Sequence, residues 1–211
     1  MRSSFYSLLF VIFIFTNACT TTTAFHHPSP LENKAYKGKQ YVGEVALLKD
    51  ERAGDKSIDK IFKDSPLMEI QKMIEEEILY SGIFSQMKKK GETFNAELRY
   101  LIKPVLKRLE WHIPNYDSMV GTAFIVSALT GGIGGVIYGS TDTTVFGYVD
   151  LEIELYDNQS RQTVFNKIYK GEVKKTMAKM SSDSQNTKAE MIGLATQDAV
   201  KKFKVDLISG L

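Results

Sequence analysis

The chain has 211 residues and 27 basic against 25 acidic side chains, a formal charge of +2. Balanced charge spread along the sequence excludes the basic footprint of a nucleic-acid-binding protein, and one cysteine excludes a disulfide framework. With 43% hydrophobic residues the length suits a single domain that buries well over half of its unfolded surface without a covalent staple.

Residues 1–18 carry Arg2, an apolar run from Tyr6 to Phe15 relieved only by Ser7, and then Thr16-Asn17-Ala18 ahead of Cys19. A positive start, a short apolar stretch and a small residue before the cut have the anatomy of a secretory signal. The run is too short to cross a bilayer, which takes about 20 residues. Thr16-Asn17-Ala18-Cys19 resembles the lipobox of bacterial lipoproteins, which implies that Cys19 becomes the lipidated first residue of the mature chain. The other reading is an ordinary signal peptide cut nearby, leaving a free thiol. Loss of residues 1–18, with Arg2 the one charge among them, leaves 193 residues and a charge of +1.

Residues 19–39 are Thr-rich and then read Phe25-His26-His27-Pro28-Ser29-Pro30, with no helix or strand period. Extended, proline-bearing chain of this kind predicts a tether that holds a folded body, residues 40–211, away from a membrane. Two adjacent histidines without a Cys or carboxylate cluster predict no metal site. Thr20 after the cysteine, where Asp marks inner-membrane retention in the Gram-negative lipoproteins that this chain resembles, implies the periplasmic face of the outer membrane.

Tyr41 to Lys49, with Val42, Val45, Leu47 and Leu48, predicts a buried strand, followed by a polar loop to Asp64. Ser65-Pro66 predicts a helix start, the serine oxygen capping free amides and the proline having none to satisfy. Leu67, Ile70, Ile74 and Ile78 then recur at helical spacing up to a stop at Gly82, with Glu75-Glu76-Glu77 expected on a solvated face. Ala96, Leu98, Tyr100 and Ile102 alternate with polar neighbours as a half-buried strand, and Pro104 predicts an interruption before a second stretch through Leu106, Leu109 and Trp111. Val145, Gly147, Val149, Leu151, Ile153 and Leu155 alternate most cleanly of all, Asp157 to Ser160 reverses the chain, and Thr163 to Met177 returns it. A last helix, starting near Ser184 or Asn186, carries Ile192, Ala195, Ala199 and Phe203 on one face and Lys201, Lys202 and Lys204 opposite.

The predicted fold is therefore α+β in two layers, a mixed or antiparallel sheet with two amphipathic helices on one face, in the order β-α-β-(apolar insertion)-β-β-α. That order resembles the amino-terminal domain of TolB and the periplasmic domain of the curli secretion channel lipoprotein. The resemblance spans residues 41–208 and implies an envelope lipoprotein that works as a non-enzymatic accessory or assembly subunit, with envelope proteins and further copies of itself as partners.

Between Asp117 and Asp142 lie 24 consecutive uncharged residues, 118–141. Phe124, Ile125, Val126, Leu129, Val136 and Ile137 supply apolar surface, and Gly131, Gly135 and Gly139 fall four apart, a smooth stripe for close packing. Glycines at 131, 132, 134 and 135 also resemble turns and weaken a helix. Three readings stand: an apolar hairpin that meets a bilayer or a neighbouring subunit, a buried part of the core, or a membrane-spanning helix or pore strand. The run Phe124-Ile125-Val126 lacks the alternation that a pore strand needs.

Catalytic chemistry is sparse. His112 has no Ser, Cys or Asp companion at a motif spacing and is expected to be partly buried and structural. No Gly-x-Ser-x-Gly or His-Glu-x-x-His occurs, and no Lys-Ser or Lys-Thr follows the glycines. The expectation is a protein without enzymatic activity, cofactor or metal. The alternative function is a periplasm-facing module that binds a lipid or a small hydrophobic ligand, with the insertion as part of its pocket.

Overall fold

The computed structural model describes residues 22–28, 41–54, 56–88, 97–114, 116, 125, 128–129 and 141–210. In chain order the elements are β1 (Tyr41–Val45), β2 (Lys49–Asp50), a 3-10 turn (Ser57–Ile61), α1 (Pro66–Tyr80), β3 (Phe84–Lys88), β4 (Tyr100–His112), β5 (Asp142–Asp157), β6 (Gln162–Ala178), α2 (Lys179–Ser182) and α3 (Gln185–Gly210). The fold is α+β. Six strands among the described residues form one mixed sheet in the order β3-β1-β4-β5-β6, with β2 also paired to β4. Pairs on the β1 side are parallel, whereas β4, β5 and β6 form an antiparallel meander.

Strand β5 is built as its alternation predicts: Val145, Gly147, Val149, Leu151, Ile153 and Leu155 are buried, with half-exposed neighbours between them. Asp157 accepts the Gln159 backbone N–H at 2.8 Å and the Ser160 hydroxyl at 3.0 Å, which closes the reversal into β6. The sheet's inner face packs against α1 and α3. Ile70, Ile74 and Ile78 of α1, Ile102 and Leu106 of β4, Leu151 and Ile153 of β5, and Ile192, Ala195, Ala199 and Phe203 of α3 share one core. Burying a large aliphatic side chain stabilises by about 1.5–3 kcal/mol, so this cluster dominates the energetics of the body.

Two glycines set how close α3 comes to the sheet. A Cβ on Gly171 would lie 1.8 Å from the Ala195 carbonyl oxygen, and one on Gly147 would lie 2.5 Å from that of Met191. The helix backbone rests directly on β5 and β6, where no side chain fits between the layers.

Several local expectations are corrected. Strand β4 runs unbroken through Pro104, which sits opposite Ile153. The carbonyls of Ile102 and Leu106 accept N–H groups from Ala46 and Glu51, so the Pro104 nitrogen, in the same phase, faces the gap between β1 and β2 and no ladder bond is lost. The three-residue step from Leu106 to Leu109 is a bulge: the register shifts between Leu106 and Arg108, and both leucines face the core. β1 ends at Val45, and Leu47 is exposed. Ser65 caps α1 through its backbone carbonyl, to Met68 N and Glu69 N, and its side chain makes no capping bond. Glu77 and Lys204 are not solvated. Both are buried, and they pair across the two helices at 3.0 Å. His112 is exposed, with its ring 6.5 Å from that of Phe146.

Candidate membrane-facing site

Of the residues expected to meet a membrane or a neighbouring subunit, Cys19, Phe124, Val126, Gly131, Gly135, Val136, Ile137 and Gly139 lie outside the described residues. Ile125 and Leu129 are described, and both are exposed, at 58% and 81%. Neither joins the core. No helix among the described residues is long and apolar enough to cross a membrane, and among those residues no cluster of three metal-ligating side chains occurs.

The segment expected to be a free tether is docked over residues 22–28. Thr23 forms a parallel bridge with Phe62, its N–H bonded to the Ile61 carbonyl at 2.8 Å and its carbonyl accepting Lys63 N–H at 2.8 Å. The Thr23 hydroxyl meets Asn186 Oδ1 at 2.7 Å. Phe25 is buried against Phe62, ring centroids 5.2 Å apart, and the His27 ring contacts Glu69 of α1. A Cβ on Gly193 would fall 2.1 Å from the His26 carbonyl oxygen, so the segment crosses α3 where the helix has no side chain. No period marks this segment in the sequence; the lone Phe25 in polar surroundings is the one signal that could have found it.

The two flanks of residues 118–141 meet the body nearby. The Tyr116 hydroxyl donates to Asp183 at 2.6 Å, and Lys179 N–H bonds the Thr141 carbonyl at 2.9 Å. Ile113, Val145 and Met191 form a second small core, against which Trp111, Tyr116 and Met177 pack. Ser184 begins α3 by accepting Thr187 N–H at 3.1 Å, the side-chain cap expected at a helix start. The turn Asp183–Asn186 thus joins the docked amino-terminal segment, through Asn186, to the insertion's leading flank, through Asp183.

A cleft of about 380 Å³ lies beside this turn, between the 3-10 turn, the far end of β4 and the start of α3; Arg52, Ile61, Arg108, Trp111 and Lys188 are among the residues that line it. Arg52 is held by Asp50 and Asp59 in contacts of 2.8–2.9 Å. The Arg52 guanidinium holds the Asp50 carboxyl well below its ordinary value; burial opposes the shift, and Lys56 and the Arg52 backbone N–H add to it. Lys188 pairs with Asp183 at 2.5 Å and sits 4.4 Å from the centre of the Trp111 ring. The Trp111 indole nitrogen is buried and has no hydrogen-bond partner among the described residues.

A second, larger groove of about 1150 Å³ runs between α1 and the β1–β2 connection, lined by Val45, Leu47, Leu48, Leu79 and Met87 and by charged side chains that include Glu44, Lys72, Glu76 and Lys88. Glu44 and Lys88 pair at 3.3 Å.

No protein-family model matches the chain, and no curated protein matches it. Solved structures similar to it include a Xanthomonas campestris protein of the DUF330 family, 10% identical over 90% of this chain and 93% of that one, with a TM-score of 0.49. A Helicobacter pylori protein described as a homolog of neuraminyllactose-binding hemagglutinin is 12% identical over 89% of this chain and 92% of its own, with a TM-score of 0.48. The PelC dodecamer from Paraburkholderia phytofirmans is 13% identical over 84% and 92%, with a TM-score of 0.34.

Proposed function

We propose that this chain is a bacterial envelope lipoprotein, acylated at Cys19, that acts without catalysis as an accessory or assembly subunit of a transport, secretion or surface-appendage machine at the periplasmic face of the outer membrane. The observation that carries this reading is the pinning of Thr23 to Ile61, Phe62 and Asn186. Thr23 is four Cα steps from Cys19, a reach of at most about 14 Å. Acyl chains on Cys19 would therefore hold the end of the body around Asp183–Asn186 against the headgroups, and the flanks of the uncharged segment leave the body beside that turn. The two or three acyl chains of such a cysteine anchor stably, where a single chain binds marginally, and the uncharged segment then serves as a contact for partners. Envelope proteins and further copies of the chain are the partners this arrangement suits.

Intact mass of the protein purified from membranes tests the first step: a diacylglyceryl or triacyl adduct on a chain starting at Cys19 is expected, and an unmodified thiol there would refute the reading. Deleting residues 121–139 tests the second. The variant should keep its fold and its membrane attachment but lose its native assembly on blue-native gels; intact assembly would show that the insertion is no interface.

The groove beside α1 favours a second reading, a module that binds a lipid or a small hydrophobic ligand. Its volume and its mix of aliphatic and charged side chains suit an amphipathic ligand, although its walls are α1 and the β1–β2 connection and none of the described residues of 118–141 lines it.

A further inference from the structure

We infer that the groove between α1 and the β1–β2 connection binds a long-chain fatty acid, its carboxylate at Lys49 and its hydrocarbon chain along the aliphatic lining. The inference rests on the second functional reading, that this groove takes an amphipathic ligand, and names the class of that ligand. Its place is set by topology. β1 and β3 are parallel strands joined through α1, and Val45 and Lys88, the last residue of each, both line the groove. The crevice beyond the carboxyl ends of parallel strands is where open sheets take their ligands.

The lining defines the ligand in two parts. Leu47 of the connection and Leu79 of α1 stand in the groove more than half exposed, with Leu48 and Met87 partly buried beside them. An alkyl chain laid along these side chains takes apolar surface out of water on both partners, worth about fourfold in affinity for each methylene fully buried. A volume of about 1150 Å³ lies above the usual range of small-molecule sites and gives a long chain room. The charged side chains decide the head group. Glu44 is paired with Lys88 at 3.3 Å and Lys72 with Glu76 at 4.0 Å, while Glu75 accepts the Gln71 amide at 2.6 Å. Gln71 in turn accepts the Leu48 N–H at 2.7 Å, so Glu75 is engaged in holding the connection against α1. Of the charged side chains in the lining, Lys49 is the one with no partner among the described residues. A single unneutralised cation next to aliphatic walls complements an anion at the end of one acyl chain. A cationic amphiphile meets acids that are already engaged.

Calorimetric titration of the full mature chain, residues 19–211, tests this, with Cys19→Ser so that no detergent is needed to compete for the groove. Decanoate, decanol and decyltrimethylammonium are added below their micellar concentrations at neutral pH. Single-site binding of decanoate is expected, with octanoate weaker by roughly tenfold, decanol weaker by roughly two- to fivefold and the cationic amphiphile weaker still. Lys49→Gln should bring decanoate down to the level of decanol and leave decanol unchanged, with far-ultraviolet dichroism the same as that of the parent chain. Decanol binding as tightly as decanoate, tighter binding of the cationic amphiphile, or undiminished decanoate affinity in folded Lys49→Gln would overturn the fatty-acid assignment and leave the amphipathic-ligand reading in place. No saturable binding of any of the three would remove that reading, and the inference with it.

Discussion

Lys204 of α3 places its ammonium 3.0 Å from Glu77 of α1, and both side chains are nearly sealed from solvent. A buried pair of this kind adds little net stability over an apolar pair of the same shape, but removing one partner strands a charge. Lys204→Met is therefore expected to destabilise the fold by roughly 3–5 kcal/mol, while the double variant Glu77→Met, Lys204→Met recovers most of that loss. Urea unfolding of the two variants beside the wild type checks the difference, and equal losses in both would show that the charge itself is not the issue.

Gly193 carries the amino-terminal segment across α3. Replacing it with Ala puts a methyl group where the His26 carbonyl lies, and an oxygen 2.1 Å away has no room to accept it. Gly193→Ala should lift residues 22–28 off the body and leave the sheet intact. Hydrogen exchange will then accelerate at Thr23 and Lys63, whose amides are tied in the bridge, and stay slow in β5.

The Asp50 carboxyl, held below its ordinary value of 3.8 by Arg52, binds its proton less readily in the folded state than in the unfolded one. Its contribution is full above about pH 4 and is lost as the pH falls toward its lowered native value. Asp50→Asn is expected to cost about 1–2 kcal/mol at neutral pH and to flatten the acid limb of the stability curve, measured by urea midpoints between pH 2 and 7. A variant whose acid limb matches the wild type would exclude Asp50 as its source.

If the groove beside α1 takes a hydrophobic ligand, the wild-type protein will bind a fluorescent fatty-acid analogue, and Leu79→Glu will abolish that binding. Leu79 is 51% exposed, so the substitution should alter stability by no more than about 0.5 kcal/mol. An absence of saturable binding to the wild type removes the second functional reading.

Much of this architecture is legible where one chain segment decides its own state. The alternation from Val145 to Leu155 needs only a sheet with one wet face, and Ile192, Ala195, Ala199 and Phe203 need only a helix lying on it. Three of the misreadings share a cause, which is that the deciding neighbour is distant in sequence. Pro104 signals an interruption, but its nitrogen is accommodated because β1 and β2 part opposite it. Glu77 sits in an acidic triplet that looks solvated, and its partner is 127 residues away. Residues 22–28 have the composition of a linker, yet one aromatic ring, one threonine and a glycine notch on α3 suffice to dock them. The expected membrane-contact residues fall mostly outside the described chain, while the cleft around Trp111 and Lys188 is invisible locally because it forms between a loop, a strand end and a helix start.

Among the described residues strand β6 forms one border of the sheet over 17 residues, and Lys170 and Lys174 stand exposed along it, while Lys167 and Lys175 pair with Asp206 and Glu190 of α3. Cationic side chains on an outermost strand repel the approach of a like strand and discourage zippering into a continuous ribbon. Should copies of this protein gather on a membrane, they are steered away from extending one another's sheet along β6, and the geometry of any ring or cluster falls to its loops, helices and flat faces.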